Sequence, residues 1–403
     1  MIDSDLIAEG IAAARPRVIA ALAAQFRDLD LAEEALSDSV EALLNSPDDV
    51  SDLAAWLFVA GKRKSIDIMR KRARERSAHD DLAEEIDMGE VITLPDPIPD
   101  ERLRLLFICC HPAIALEART ALALKVICGL PVSEIARVFI VPEATMYQRI
   151  TRAKQKVAKA GIPFELPHRS VWTQRLDAVL LTLELAYTVA FQEAAGHDEG
   201  RTSAEVERLA LMLADLLPEN PEALGFAAMV LFARSREAAR LDQAGAMVPL
   251  SRQDCEAWDR ARINKATELL GQAAQLKNTG RFQLMASIQL THARRLHDGK
   301  VDWRAIIQLY DALLCLQNDP AVALNRAVAE WKLNGPEAGL EALEQLPNKR
   351  FENFRPWHVA RANILAELGQ RKEASRAFKA ALHLAPAPAE RPFLQRRLAE
   401  LTG

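Results

Sequence analysis

A basic stretch from Leu130 to Val157, LPVSEIARVFIVPEATMYQRITRAKQKV, carries side chains that could bind a nucleic acid. Gln148 and Arg149 are residue types that form paired hydrogen bonds with base edges when they lie on the first turns of a helix. The cations further along suit phosphate oxygens, and they are Arg152, Lys154 and Lys156. The chemistry that this stretch indicates is recognition of a polyanion rather than a covalent reaction.

The spacing of apolar residues in this stretch predicts two short helices separated by a tight break. The apolar face of the first helix consists of Ile135, Ala136 and Phe139. Pro142 cannot continue that helix and suits the start of the next, where Met146 and Ile150 are predicted to face inward. The residues predicted to start the second helix or to face outward are Glu143, Thr145, Tyr147, Gln148, Arg149 and Arg152. This pattern is typical of a DNA-binding helix-turn-helix; the alternative is a helical hairpin with a solvated basic side.

A second basic segment, AWLFVAGKRKSIDIMRKRAR, lies closer to the N-terminus. Its basic residues are Lys62, Arg63, Lys64, Arg70, Lys71, Arg72, Arg74 and Arg76. They fall on more than one face of the predicted helix, so some of them must point away from any core. Asp67 is expected to pair with a basic neighbour rather than to act as an acid or base. Taken alone, this helix predicts either a polyanion contact or a solvated surface.

Composition predicts an all-helical protein of several domains. The chain has 403 residues, half of them hydrophobic and only 5% aromatic, and β-branched runs are nearly absent. The formal net charge is −5, so the two basic segments are local features of an acidic protein. Between them, residues 78–100 are acidic and contain proline, which predicts a linker with little fixed structure.

The sequence contains few residues that indicate a metal site or an enzyme active site. The word CCHP at Cys109–Pro112 invites a zinc site, but adjacent cysteines point differently from a helix, and nothing in the spacing recruits His79 or Cys128. A packed, reduced helix is the preferred interpretation. No phosphate-binding glycine loop, GxSxG or HExxH word occurs, so we expect no catalytic residues, no metal and no cofactor.

Targeting signals are also absent from the sequence. The five cysteines lack CxxC spacing, and apolar stretches such as GFAAMVLFA are too short to cross a membrane. A cytoplasmic location, without membrane binding, is therefore expected.

The C-terminal half reads as a series of amphipathic helices that includes a repeat. In ILAELGQRKEASRAFKAALHLAP, Ala374, Phe378, Ala381 and Pro386 lie at offsets 0, 4, 7 and 12, the pattern of the second helix of a tetratricopeptide repeat (TPR). Ala305, Leu309 and Ala312 reproduce the first three offsets. In RQDCEAWDRARI, a helix-start cap with a packed tryptophan is the preferred interpretation of Asp254, Trp258 and Asp259.

Together these stretches resemble the extracytoplasmic-function (ECF) sigma factors of bacterial RNA polymerase, in the sigma-70 family. LAEEALSDSVEALL resembles the helix that docks on the polymerase clamp, WLFVAGKRKSIDIMRKRA the promoter-melting helix, and LPVSEIARVFIVPEATMYQRITRAKQK the domain that reads the −35 element. The stretches DERLRLLFICCHPAIALEA and VALNRAVAEWKLNGPEAGL resemble the subgroup with a TPR-type C-terminal extension. Ser37 and Asp38 stand where the family commonly has Gln-Glu.

The resemblance assigns roles to three sets of residues. Polymerase binding falls to Glu33, Glu34, Ser37 and Asp38. Recognition and melting of the −10 element fall to Trp56, Lys62, Arg63, Lys64, Asp67, Arg70, Lys71 and Arg72. Recognition of the −35 element falls to Glu143, Thr145, Tyr147, Gln148, Arg149, Arg152, Lys154 and Lys156.

The resemblance also implies an order of domains. Sigma region 2 is expected at residues 1–77, the acidic linker at 78–100, region 4 at 101–162 and the TPR-like extension at 170–403. The implied partners are core RNA polymerase, through its clamp and flap regions, promoter DNA, and a candidate protein or small-molecule ligand of the repeats. One hypothesis places the linker in the positively charged RNA path of the polymerase; the other makes it a solvated spacer.

Two other functions remain open from the sequence. The first is a polymerase-independent helix-turn-helix regulator whose repeats sense a peptide or a small molecule. The second is a scaffold whose basic patches bind RNA loosely. Separate melting and reading domains joined by an acidic linker favour the sigma factor over both.

Overall fold

A computed structural model describes residues 4–45, 52–77, 100–111, 113–127, 129–139, 141–159, 169–193, 201–347 and 351–402. Within these ranges the chain forms α-helices and short 3-10 turns. One isolated antiparallel bridge joins Leu241 and Met247, and these ranges contain no β-strand. The predicted all-α class is confirmed. The chain divides into two compact units, Met1–Ala186 and Tyr187–Gly403.

The first unit begins with three long helices and continues with shorter ones. Its helices are α1 (Ser4–Phe26), α2 (Leu29–Asn45), α3 (Leu53–Ser77), α4 (Asp100–Cys109), α5 (Leu116–Val126), α6 (Val132–Val138), α7 (Glu143–Lys159) and α8 (Arg169–Glu193), of which the last continues beyond Ala186. The acidic linker lies outside the described residues, apart from Asp100.

Helices α1, α2 and α3 pack on one another around an aliphatic core. Leu22 of α1, Leu36 of α2 and Leu57 of α3 are fully buried. A Cβ atom on Gly61 would lie 2.7 Å from Leu22 Cδ1, so the missing side chain permits the close crossing of α1 and α3. The Asp28 carboxylate caps α2 by accepting from the backbone N–H groups of Asp30 and Leu31 at 2.9 and 3.0 Å.

A second part of the first unit forms around α4 and α5. Residues 105–110 are all buried, and the ring of Phe107 stacks on Trp172 of α8 at 5.5 Å. Helix α4 also packs against α1. The first three helices and the helices that follow the linker therefore belong to one packed body.

In its described residues the second unit contains the C-terminal end of α8 and eleven further helices. They are α9 (Arg201–Leu216), α10 (Pro221–Arg234), α11 (Arg260–Gln275), α12 (Arg281–Ala293), α13 (Arg295–Asp298), α14 (Trp303–Leu316), α15 (Pro320–Asn334), α16 (Pro336–Glu344), α17 (Arg355–Glu367), α18 (Arg371–His383) and α19 (Glu390–Thr402). Three 3-10 turns, Glu237–Ala239, Leu250–Arg252 and Cys255–Ala257, lie between α10 and α11.

Helix α10 is buried on all sides and differs in this from the amphipathic helices that the sequence predicts. All of its residues except Glu222 are buried, and it packs against α9, α11 and α12. A Cβ atom on Gly225 would lie 2.7 Å from the backbone N of Gln283, so α12 approaches α10 closely. Helix α10 is the central element around which this half of the unit is built.

The C-terminal helices pack against their neighbours in sequence, with α14 against α15, α15 against α16, and α17 against α18. In α18 the side chains of Ala374, Phe378 and Ala381 are fully buried, as the repeat spacing requires. In α14 the fully buried positions are Ile306 and Leu313, whereas Ala305, Leu309 and Ala312 are only half-buried. The repeat pattern therefore matches the packing of α18 better than that of α14.

No helix in the described ranges is long and apolar enough to cross a membrane.

Candidate nucleic-acid interface

Helices α6 and α7 form the helix-turn-helix expected from the sequence. The side chains of Ile135 and Ala136 in α6, and of Met146 and Ile150 in α7, are buried where α7 packs against α5 and α6. The chain turns between the helices with a hydrogen bond from Val141 N to Ala136 O at 3.0 Å. Phe139 follows the last residue of α6 and is half-buried.

The outward face of α7 presents most of the residues predicted to contact DNA. Tyr147 is 63% exposed. The other exposed members of the set are Glu143, Gln148, Arg152 and Lys156. Thr145 and Arg149 are half-buried, and Arg149 Nη1 lies 3.0 Å from Glu117 Oε2. Because this pair is largely exposed, its disruption by a competing anion costs little.

Lys154 differs from the other predicted DNA contacts on α7, because its side chain points toward α2. Its Nζ lies 2.8 Å from Asp30 Oδ1 and 2.7 Å from Glu33 Oε2, both on α2, and its side chain is only 10% exposed. Burial opposes the charge of Lys154, but attraction by Glu33 and the hydrogen bonds to both carboxylates outweigh it and raise the pKa of the ammonium. Lys154, which is predicted to bind a phosphate, is thus bound by two carboxylates in this structure.

Glu33 is the centre of this contact. Its Oε2 accepts from Lys154, while its Oε1 is buried and has no hydrogen-bond partner in the described part of the chain. Lys125 of α5 is also close enough to interact with the Glu33 charge, although burial lowers the pKa of Lys125 overall. A residue predicted to bind the polymerase therefore lies in a cationic setting made by α5 and α7.

Helix α3 displays its basic residues on several faces, as the sequence predicts. Arg63, Asp67, Arg70 and Lys71 are exposed, and Trp56, Lys62, Lys64 and Arg72 are half-buried. Arg72 binds α2 through Glu34 Oε2 at 2.6 Å and approaches Asp28 Oδ2 at 3.7 Å. Asp67 makes no ion pair with the described residues, so the predicted pairing with a basic neighbour is not observed.

The two predicted sites of the N-terminal helices meet in one groove of about 360 Å³ between α2 and α3. The groove is lined by Glu34, Asp38, Lys64, Asp67, Ile68, Lys71, Arg72 and Glu75. Ser37 faces a different groove, between α1 and α2, together with Arg15 and Glu41. The structure thus joins Glu34 and Asp38 to part of the predicted melting helix and separates Ser37 from it.

The cysteine pair of α4 lies in the core. Cys109 and Cys110 are fully buried, and the Cys110 thiol donates to Thr182 Oγ1 at 3.5 Å. Burial raises the pKa of Cys110 to about 11, which leaves the thiol protonated and unreactive. In the described residues no group of three His, Cys, Asp or Glu side chains is placed to hold a metal ion. His79 and Cys128 lie outside those residues.

Sequence reasoning missed Asp30 and Lys125 as members of this interface. Asp30 lies in the first turn of α2, beside the predicted polymerase-binding residues, where an acid is expected for helix stability alone. Lys125 lies in the last turn of α5, where a base is equally ordinary. Neither position carries a local signal that separates a partner across the unit from a helix-end charge.

Comparison with known proteins agrees with this geometry. A family model described as Sigma-70, region 4 matches residues 104–157, which include α6 and all but the last two residues of α7. A model described as a family of unknown function (DUF6596) matches residues 175–274. An uncharacterized protein of Rhizobium meliloti (strain 1021) is 39% identical over 415 residues, a match that covers 100% of this chain and 97% of that protein. The chain therefore belongs to the same family as the Rhizobium meliloti protein, and the region 4 match at residues 104–157 supports a sigma-type DNA-binding role in transcription.

Proposed function

We propose that this protein is an ECF-type sigma factor that binds core RNA polymerase and directs transcription from specific promoters. The observation that carries the proposal is the exposed face of α7, with Tyr147, Gln148 and Arg152 turned outward, in the segment that matches sigma-70 region 4. The apolar side of the same helix packs on α5 and α6. Such a helix can enter a major groove and place side chains on base edges.

The groove between α2 and α3 supports the second half of the proposal. Glu34 and Asp38 present acids toward the same space as Lys64 and Lys71. An acidic helix next to a basic one can dock on a protein and hold a DNA strand at adjacent positions. In this proposal α2 contacts the polymerase clamp, α3 contacts and opens the −10 element, and the chemistry of RNA synthesis belongs to the polymerase.

The Lys154 contact gives this proposal a closed state. Asp30 and Glu33 form ion pairs with the Lys154 ammonium, which would otherwise bind a phosphate. The same contact engages the Glu33 carboxylate, which would otherwise bind the polymerase. Lys154 and Glu33 become available to these partners only when α7 separates from α2. We infer that promoter binding and polymerase binding each favour the open arrangement.

The C-terminal unit is proposed to modulate this activity, through TPR-like helices that bind a protein or a small molecule. A truncation that tests this must keep Trp172, because its ring packs on Phe107 in the first unit. Ending the chain after Glu193 retains the whole of α8. Promoter-specific transcription that changes strongly in either direction would support the proposal, and unchanged transcription would contradict it.

The decisive experiment is co-purification of the full-length protein with bacterial core RNA polymerase, followed by run-off transcription from a promoter library. Stable binding with promoter-specific transcripts is expected. Failure to bind core polymerase, together with tight binding to duplex DNA alone, would favour the polymerase-independent regulator instead.

A further inference from the structure

Arg236 is a buried cation at the C-terminal end of α10 whose charge no described carboxylate neutralises. The residue is only 9% exposed. Its Nη2 donates to Gln289 Oε1 of α12 at 2.6 Å. Its Nη1 is buried and has no hydrogen-bond partner among the residues that the structure describes. A buried donor left in this state costs free energy unless a ligand or water accepts from it.

A second arginine lies nearby, and its acceptors among the described residues are also all neutral. Arg295 Nη1 and Nη2 donate to the carbonyl oxygens of Leu250 and Gln253, each at 2.8 Å, and Nε donates to Cys255 Sγ at 3.0 Å. The Arg295 guanidinium lies 5.1 Å from the centre of the Trp258 ring. The Trp258 Nε1 is a further buried donor without a partner in the described ranges.

His292 lies close to both arginines. Gln289, His292 and Arg295 follow one another at three-residue steps along α12 and α13. Burial, together with repulsion from Arg236 and Arg295, lowers the pKa of His292 to about 4. Burial is also the main cause that lowers the pKa of Arg236 to about 10, and Arg240 and Arg295 add to it.

The neighbouring Arg234 makes a matched contrast. It is as buried as Arg236, but it forms ion pairs with Glu207 and Glu237 and donates to Ser203 Oγ at 2.6 Å. The fold thus supplies carboxylates to one arginine and none of the described ones to the other, two residues away. An anion that balances the charge of the buried Arg236, with the half-buried Arg295 nearby, stabilises such a site.

We propose that Arg236, Trp258 and Arg295 form a binding site for a small oxyanion of the phosphate class. An oxyanion can accept from Arg236 Nη1 or from Trp258 Nε1 and can balance the guanidinium charges of Arg236 and Arg295. Because both donor atoms are shielded from solvent, the ligand must enter through a local opening of the chain around them. The site lies within the second unit and gives that unit a ligand chemistry independent of DNA binding.

Thermal unfolding of the full-length protein in inorganic phosphate, compared with chloride at equal ionic strength, tests the proposal. We expect phosphate to raise the unfolding midpoint of the second unit by about 2–4 °C, because a ligand of the native state stabilises it. The variant R236Q should lose this rise, and the control R252Q, at an exposed arginine of the same segment, should retain it. A rise equal in chloride, or equal in R236Q and the wild type, would refute the site.

A second readout does not depend on the folding of R236Q. The ring signals of His292 in an NMR spectrum of the wild type, assigned with H292Q, should move on addition of phosphate at constant pH and ionic strength. Signals of the exposed His297 should move less. The proposal is wrong if the His292 signals stay unchanged at a phosphate concentration that gives the full rise in the unfolding midpoint, because the anion then binds elsewhere.

Discussion

Most cations of α7 in the first unit and the two arginines at the C-terminal end of α10 in the second differ in their exposure to solvent. On α7 of the first unit, Arg152 and Lys156 are exposed, and Arg149 reaches only an exposed carboxylate. At the end of α10 in the second unit, Arg234 and Arg236 are buried. An exposed cation adds little to stability and is free to bind a partner. A buried cation costs free energy unless carboxylates or a ligand balance its charge. The following predictions test this contrast, from the largest expected effect on stability to the smallest.

Replacing Arg234 should damage the second unit most. Arg234→Met removes the buried partner of Glu207 and Glu237, and Glu207 keeps its pair with Arg262. We therefore expect the free energy of unfolding to fall by about 3 kcal/mol, the lower end of the cost of a broken buried pair. Denaturant unfolding measures this. The control is Arg260→Met, whose pair with Glu256 is exposed, with an expected loss of at most about 1 kcal/mol. Equal losses in both variants would remove the distinction between the two kinds of cation.

His292 should make the second unit sensitive to acid. The folded pKa of about 4 is lower than the ordinary 6.5, so the unfolded chain binds the proton first. Stability from this group is complete above pH 6.5 and is lost as the pH falls toward 4, by about 3 kcal/mol in all. Unfolding at pH 7 and pH 4.5 should show a smaller difference in His292→Gln than in the wild type. His297→Gln, at an exposed position, should keep the full difference.

Gly280 and Gly271 form a matched pair of glycines. A Cβ atom on Gly280 would lie 2.3 Å from Glu222 Cδ, and Glu222 accepts from Phe282 N and Gln283 N at 2.9 and 3.2 Å. Gly280→Ala should therefore lower the free energy of unfolding by about 1–3 kcal/mol. Nothing lies within 4 Å of a Cβ atom on Gly271, inside α11, so Gly271→Ala should stabilise by up to about 1 kcal/mol. Thermal unfolding of both variants compares them, and a loss in Gly271→Ala would contradict the packing described.

Gln148 should matter for binding and hardly for stability. It is exposed on α7, so Gln148→Ala should change the free energy of unfolding by less than about 0.5 kcal/mol. If Gln148 reads a base, the preference for the −35 sequence over a mismatched one should fall by about 1–3 kcal/mol. Gln155→Ala, at an exposed position further along the same helix, serves as the control in the same duplex titration. Unchanged preference in Gln148→Ala would remove it from the reading face.

Much of the helix-turn-helix could be predicted from the sequence, because its determinants are local. The spacing of Met146 and Ile150 and the position of Pro142 are enough to orient α7. The same holds for the capping of the turn before α11. Asp254 accepts from Glu256 N, Asp259 accepts from Arg262 N, and Trp258 is buried, so the prediction for that segment is confirmed.

The contacts that give Lys154 and Arg236 their character could not be predicted in this way. Helical periodicity places Lys154 on a face but does not state that Asp30 lies opposite. The word RSREAAR around Arg236 has the composition of a solvated surface, although the structure buries it. The burial of α10 on all sides did carry a signal, since its sequence is apolar around the whole helix. Such a helix predicts a neighbourhood in which adjoining charges are also buried.

The contact between Lys154 and Asp30 also has a consequence for synthesis on the ribosome. The two residues are 124 positions apart, so at about 5–20 residues per second α2 precedes its partner by roughly 6–25 s. During that interval the carboxylates of the nascent chain have no Lys154 to bind. A polymerase that meets the emerging N-terminal helices could engage them before the closed arrangement exists. Each new molecule would then bind the polymerase more readily during its synthesis than after the contact between Lys154 and α2 has formed.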